Sequence, residues 1–382
     1  MAKTIPYGRQ WIDKKDISSV IAALKSDFLT QGPRVEEFEK LFAKFVGAKY
    51  AVAVNNGTSA LLAACFAAGI TNGDEVITTP YTFSASVNCF VWFGAKPVFV
   101  DIKNNSFNID ETKIEGTISK KTKALLVVDF AGVPCDYDQI KKIAKTHNLI
   151  IIADAAHSLG STYKGKKIGS IADLTCFSFH PVKTITTGEG GMITTNKFKY
   201  YQKLKTFRTH GIVKDPKNTA RGKWYYEMVE LGLNLRLTDI QAALGISQLN
   251  KISGFTRRRR EIVDAYNKHF SDLPVSFTKE PSFIKSTWHL YQVRLAKNLL
   301  RVSRKEVFDQ LQKRGLGVQV HYVPVHLHPY YKKMFGFKRG DFPNAEKAYE
   351  EEISLPLFPK MSNHDVNFVI KTFRDVIRKY QK

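Results

Sequence analysis

The chain has 382 residues, 43% of them hydrophobic and 24% charged, with a net charge of +23. That balance suits a soluble globular protein long enough for one large and one smaller domain, and it excludes disordered, collagen-like and disulfide-stapled classes. No apolar stretch reaches bilayer-spanning length, and Met1 to Gln10 lack the apolar core of a signal peptide, so a cytoplasmic location with no membrane contact is expected by elimination.

Near the start, Leu29-Thr30-Gln31-Gly32-Pro33 is a turn pre-shaped by Gly and Pro, which makes Thr30 a candidate ligand contact against the plainer reading of a connecting turn. Residues 51–54 read as a short buried strand, Asn55 to Ser59 as a tight turn and Ala60 to Ala64 as the opening of a helix. Strand, small polar turn and helix make an anion site. The free N–H groups and helix dipole favour a phosphate at Gly57, with the hydroxyls of Thr58 and Ser59 as further donors. An ordinary N-cap explains the same residues.

Further apolar runs at 75–78, 97–100, 124–128, 149–153 and 174–177, separated by helical stretches or turns, predict a largely parallel sheet with helices on both faces. Asp154 closes the run at 149–153. The segment Ser178-Phe179-His180-Pro181-Val182-Lys183 follows, with Thr186 to Gly191 behind it.

Lys183 and Asp154 together suggest pyridoxal phosphate chemistry. A lysine amine condenses with the cofactor aldehyde as a Schiff base, and burial readily lowers its pKa. A carboxylate must keep the pyridine nitrogen protonated so that the ring draws electrons from the substrate carbon. Ligands in open α/β sheets sit outside the carboxyl ends of strands, where Asp154 is expected. Ser178 is placed to add a hydroxyl opposite the phosphate turn.

Near residues 249–254 the pattern changes. Helices are predicted at 257–270, 303–314, 344–352 and 363–380, with strands at 292–295 and 317–321, so residues 1–254 are assigned to a large domain and 255–382 to a smaller α+β domain. Arg257-Arg258-Arg259-Arg260 leads into helical periodicity, which spreads the four arginines around a solvated helix and argues against a nucleic-acid patch. A basic surface also steers anionic substrates. Cys65, Cys89, Cys135 and Cys176 lie in apolar surroundings without zinc spacing, so they are expected to be buried free thiols, with no metal site.

With those residues in place the chain resembles the DegT/DnrJ/EryC1/StrS sugar aminotransferases. The resemblance rests on Asn56 to Leu61, Asp154-Ala155-Ala156-His157, Ser178 to Lys183 with Thr186 to Gly191, and Gly232 to Gly245. It implies a fold type I pyridoxal phosphate enzyme, α/β with a mostly parallel seven-stranded sheet. It also implies Phe83 stacked on the cofactor ring, His157 beside the ring hydroxyl, and Asn234 reaching the phosphate of a partner subunit, followed by Arg236 at the same interface. A homodimer with shared sites is therefore expected.

The Ser-Phe-His-x-x-Lys form of the lysine loop, with Gln319 to Pro324 and Tyr330-Tyr331, is most similar to relatives acting on UDP-linked 4-keto sugars. His180, His321 and His326 join Thr30 and Arg236 as candidate substrate contacts. The implied reaction carries an amino group from L-glutamate to C4 of a nucleotide-linked 4-keto-6-deoxy sugar, with UDP-4-keto-6-deoxy-L-AltNAc of pseudaminic acid synthesis foremost. Other UDP-, dTDP- or GDP-linked keto sugars are the alternatives. Lys183 argues against dehydrating relatives, which carry histidine there. A pyridoxal phosphate β-elimination or desulfuration and a basic nucleic-acid-binding regulator are the rival readings. A desulfurase wants a reactive loop cysteine that the sequence does not show.

Overall fold

The structure is a computed structural model that describes residues 4–214 and 221–382. Helices α1 (Lys14–Leu24) and α2 (Pro33–Val46) lead into β1 (Tyr50–Val54), α3 (Gly57–Ala68), β2 (Glu75–Thr78), α4 (Ala85–Val91) and β3 (Lys96–Phe99). Then come β4 (Thr122–Val128), α5 (Tyr137–Thr146), β5 (Ile150–Asp154), the short β6 (Thr162–Tyr163) and β7 (Lys166–Lys167), β8 (Leu174–Ser178), β9 (Gly191–Thr195) and α6 (Phe198–Phe207). Two short strands, β10 (Ile212–Val213) and β11 (Glu227–Met228), precede α7 (Asp239–Leu249) and α8 (Ile252–Phe270). The remainder is β12 (Val275–Phe277), β13 (Ile284–Lys285), β14 (Tyr291–Leu295), α9 (Arg304–Lys313), α10 (Pro329–Phe335), α11 (Pro343–Glu351), β15 (Glu352–Leu355) and α12 (Asn363–Tyr380).

The central sheet has seven strands in the order β1-β9-β8-β5-β4-β2-β3. Only β9 runs antiparallel to its neighbours, as the mostly parallel expectation requires. Successive residues of a strand face opposite sides: Leu125 and Val127 of β4 enter one core, Leu126 and Val128 the other. Burial on both faces explains why these strands read as continuous apolar runs. Because β1, β5 and β8 run the same way, the residues at or just past their carboxyl ends (Asn56 and Gly57, Asp154, Ser178) gather along one edge of the sheet.

A second, three-stranded antiparallel sheet, β12-β14-β15, lies in the C-terminal part. The start of the described chain lies against it: Ile5 pairs with Leu316, and the Tyr7 carbonyl accepts from Leu357 N–H.

Two expectations are corrected. Residues 317–321 are not a strand, because Leu316 and Gln319 make only isolated bridges, to Ile5 and Ser354. The strand that completes the small sheet is instead β15, whose Glu-Ile-Ser-Leu sequence is fully buried and so lacks the alternation of a half-exposed strand. The arginine run is also not a solvated face throughout, for Arg257 alone of the four is exposed. Arg259 is buried and donates to the carbonyls of Trp288, His289 and Leu357, Arg258 donates to Met361, and Arg260 pairs with Glu280. These guanidiniums fasten α8 to the segments around it. The four cysteines are buried and free.

Candidate active site

A cavity of about 760 Å³ opens at the carboxyl ends of the sheet strands, lined by Gly57, Thr58, Phe83, Asp154, His157, Ser178, His180, Lys183 and His321 among others. Its floor begins at α3. Asn56 caps that helix, its side chain taking the Ser59 N–H over 2.8 Å. Geometry leaves the N–H groups of Gly57 and Thr58 without intrahelical acceptors, so they are donors for an anion at a twelve-residue helix. Gly57 is required by close approach: a Cβ there would lie 2.7 Å from Ser178 Cβ.

Asp154 ends β5 and is buried. Its Oδ2 accepts from Ser86 Oγ at 2.6 Å and its Oδ1 from Ala156 N–H at 3.1 Å. Burial raises its pKa, while these hydrogen bonds and the charge of Lys183 oppose the rise. It has no salt bridge among the described residues, so a buried carboxylate is left for a cation in the cavity.

Lys183 closes a tight turn, its N–H donating to His180 O at 2.8 Å. Burial lowers its amine to about 8, with Asp154 pulling the other way. Such an amine gives and takes protons near neutral pH. Phe83 is 55% exposed on the cavity wall, with its ring 5.5 Å from that of Tyr322.

His157 is buried, and burial pushes its pKa well below the usual imidazole range, helped by the charge of Lys183. The ring is therefore neutral. Its Nδ1 accepts the Ala131 N–H at 3.3 Å, which leaves the proton on Nε2, 3.5 Å from Tyr322 Oη. The His289 ring backs it at 4.4 Å.

Not every expected residue arrives. Ser59 is buried and does not line the cavity. His326 is fully buried, hydrogen-bonded through Nε2 to Glu346 at 2.9 Å and edge-on to Phe342, so its expected substrate contact is withdrawn. Thr30, Asn234 and Arg236 lie outside this chain's cavity. Thr30 bridges Thr238 and Asn234 bridges Thr209. Asp239 accepts from Gly32 and Arg34 N–H, which ties the Thr30 turn to the strip carrying Asn234 and Arg236.

Tyr7, Ser86, His289 and Tyr322 were not singled out by sequence. Tyr322 stands inside the quoted 319–324 segment, and that was its only signal.

Pyridoxal phosphate needs a lysine amine, a carboxylate for the pyridine nitrogen and a phosphate cradle. Lys183, the unpaired Asp154 and the start of α3 supply them in one cavity, so the residues fit the group.

Residues 10–374 match the DegT/DnrJ/EryC1/StrS aminotransferase family. A UDP-4-amino-4,6-dideoxy-N-acetyl-beta-L-altrosamine transaminase of Campylobacter jejuni is 42% identical, covering 99% of both chains. Among solved structures, Helicobacter pylori PseC, an aminotransferase involved in the biosynthesis of pseudoaminic acid, superposes with a TM-score of 0.93 at 35% identity, covering 99% of this chain and 100% of that one. The PLP form of the putative sugar aminotransferase Spr1654 from Streptococcus pneumoniae does so with a TM-score of 0.92 at 33% identity, covering 98% and 99%. With the lysine, carboxylate and helix terminus assembled as that chemistry requires, the chain belongs to the DegT/DnrJ/EryC1/StrS aminotransferase family and is a pyridoxal-phosphate-dependent sugar aminotransferase of the nucleotide-sugar type.

Proposed function

We propose that the enzyme transfers the amino group of L-glutamate to C4 of a UDP-linked 4-keto-6-deoxy sugar, with UDP-4-keto-6-deoxy-L-AltNAc of pseudaminic acid synthesis as its substrate. The observation that carries the reaction is the shared cavity of Lys183, Asp154 and the α3 terminus. The altrosamine transaminase among its relatives supports the sugar.

The bound cofactor supplies an electron sink for the substrate carbon. Lys183, with its amine near 8, anchors it and carries the proton taken from and returned to substrate carbon. Asp154 holds a proton on the ring nitrogen by charge. The Gly57 and Thr58 N–H groups would hold the phosphate, Ser178 Oγ would add a donor, and Phe83 would line the ring. His157 presents Nε2–H, and His180 stands exposed at the mouth.

The working unit is a homodimer. Ile17, Ile21 and Leu24 expose an apolar face on α1, and Met228, Val229 and Leu231 expose another after β11. Exposed apolar area of this extent marks an association surface. Asn234 and Arg236, outside their own cavity, then serve the partner's site, with Thr30 beside them. The +23 charge favours encounter with a diphosphate-linked sugar and a dicarboxylic amino donor. No helix among the described residues is long and apolar enough to cross a membrane, in keeping with work on a cytoplasmic nucleotide sugar.

The test is the visible spectrum of the cofactor-loaded enzyme before and after L-glutamate. One equivalent of 2-oxoglutarate per site with loss of the lysine-bound band is expected, followed by its return on adding the UDP-linked keto sugar. No spectral response to glutamate would overturn the donor, and no return with any keto sugar would overturn the acceptor.

A further inference from the structure

His321 stands on the cavity wall, and its ring is held from behind. Its Nδ1 lies 2.8 Å from Ser354 Oγ. Ser354 Oγ is hydrogen-bonded in turn to Glu352 Oε1, and Glu352 Oε2 accepts the His321 backbone N–H at 3.0 Å. Glu352 and Ser354 are two residues apart on β15, so both side chains leave the same face of the strand. The chain of contacts runs from the cavity to a carboxyl group with no solvent exposure and no salt bridge among the described residues.

The direction of each hydrogen bond follows from where the carboxyl proton sits. A fully buried carboxyl without a cation at contact distance favours its neutral form. Oε2 already accepts the His321 N–H and the Gln292 side chain also meets this carboxyl; the neutral form then places its proton on Oε1, against which Ser354 Oγ lies as the hydroxyl able to accept it. The serine then gives its own proton to His321 Nδ1. A neutral imidazole that accepts at Nδ1 carries its proton on Nε2. That nitrogen makes no hydrogen bond among the described residues and is the one left for the cavity. The carbonyl of His321 is fixed as well, accepting from Tyr81 Oη at 2.8 Å and Gln292 Nε2 at 3.3 Å.

We propose that Glu352 and Ser354 are positioning residues that present His321 Nε2–H to the cavity as a neutral hydrogen-bond donor to a carbonyl oxygen of the sugar substrate. The identity of that ligand rests on the keto-sugar reading above; the relay itself does not. Burial, with the charge of Lys183, holds the His321 ring down to about 3, so the donor carries no charge against the lysine. Burial likewise raises Glu352 to about 8, against the opposing hydrogen bonds from Ser354, His321 and Gln292 and the charge of Arg304. Arg294, which pairs across from Glu352, the tyrosines Tyr7, Tyr81 and Tyr322, and the neutral His157 and His289 complete the titratable surroundings.

Ionisation of Glu352 reverses the chain. The Glu352 proton passes to Ser354 Oγ, the serine proton passes to Nδ1, and the Nε2 proton leaves through the cavity. One proton is lost in all, the ring stays neutral, and the donor becomes an acceptor.

The test uses holoenzyme with ¹⁵N-labelled histidine, the His321 signals being assigned by their loss in His321→Gln. At about pH 7 the wild type should show a protonated Nε2 and a bare Nδ1, reversing above about pH 9. Glu352→Gln, whose amide keeps donating to Ser354, should stay in the Nε2–H form throughout, and Ser354→Ala should lose the preference. In kinetics, Ser354→Ala should leave the L-glutamate half-reaction within about twofold while slowing the half-reaction with UDP-linked 4-keto-6-deoxy-N-acetylhexosamine roughly 10- to 100-fold. A protonated Nδ1 at neutral pH, or a form indifferent to Glu352→Gln and Ser354→Ala, overturns the relay. Equal slowing of both half-reactions overturns the role toward the sugar. A wild type that turns over no keto sugar sinks the substrate reading, and the nitrogen signals then decide the relay independently.

Discussion

Ser86 Oγ donates to Asp154 Oδ2 over 2.6 Å, and Thr82 Oγ1 stands 2.7 Å from the same hydroxyl. Helix α4 thus steadies a carboxylate at the end of β5 that burial alone would push toward its neutral form. Asp154→Asn should keep the cofactor bound but slow the glutamate half-reaction on the order of 100-fold or more, because the ring nitrogen loses its anionic partner. Ser86→Ala should cost about tenfold through the same carboxylate. Stopped-flow absorbance measures both, and an Asn variant as fast as the parent would remove Asp154 from the mechanism.

Lys183→Ala should lose turnover by at least about 10⁴-fold, since one residue is both anchor and proton carrier. Borohydride reduction followed by mass spectrometry should fix cofactor to the parent at Lys183 and to nothing in the variant. A label elsewhere would reassign the anchor.

Gly57→Ala places a methyl group 2.7 Å from Ser178 Cβ. Overpacking of this kind costs about 1–3 kcal/mol, and here it falls on the phosphate cradle. Cofactor affinity, measured by equilibrium dialysis, should drop about tenfold or more, while the thermal midpoint of the cofactor-free protein moves less.

Stability should depend on pH through Glu352 and Asp129. Burial raises Glu352 from 4.5 to about 8 and Asp129 from 3.8 to about 7. Groups with raised folded pKa values bind more protons folded than unfolded, so their contribution is complete below the unfolded values and is lost as pH rises through the folded ones. Free of cofactor, Lys183 has the opposite sign: its amine is lowered to about 8, so its burial penalty is relieved between about 8 and 10.5. The buried rings of His157, His289 and His321, held below the usual imidazole range, add stability as pH rises toward about 6.5 and mask the carboxyl groups there. The urea midpoint of the cofactor-free protein should therefore fall between about pH 7 and pH 8, less steeply in Glu352→Gln. An unchanged slope in that variant would show that Glu352 is not protonated in the fold.

Ile21→Glu combined with Leu231→Glu puts charge on two exposed apolar faces, at 45% and 81% exposure in the single chain. On the homodimer reading, sedimentation velocity should show a folded monomer with little transaminase activity. A fully active monomer would mean that Asn234 and Arg236 do not complete a partner's site.

Most of the sheet could be read from the amino-acid order, because a strand buried on both faces announces itself over four or five neighbours, as at 51–54 and 149–153. Lys183, Asp154 and Gly57 were legible for a related reason. Each lies at the end of a local strand or turn whose residue types the chemistry demands. The 317–321 segment misled, because its pairing with Ile5 and Ser354 depends on chain hundreds of residues away at one end. The arginine run misled because helical spacing spreads Arg257 to Arg260 around α8 but does not tell which side meets Trp288 and Leu357.

What the sequence determined by itself is the inventory of local elements and the reactive groups at their ends, which periodicity and spacing specify within a single segment. Only the tertiary structure decided the support around those groups. Ser86 meets Asp154 across 68 residues, Tyr322 meets His157 across 165, and His321 meets Ser354 across 33. Nothing in the local pattern around Glu352 distinguishes a surface acid from a buried one, because burial and hydrogen-bond direction are properties of the packed whole. The same holds for His326, whose place beneath Glu346 and Phe342 turned a candidate ligand into part of the core.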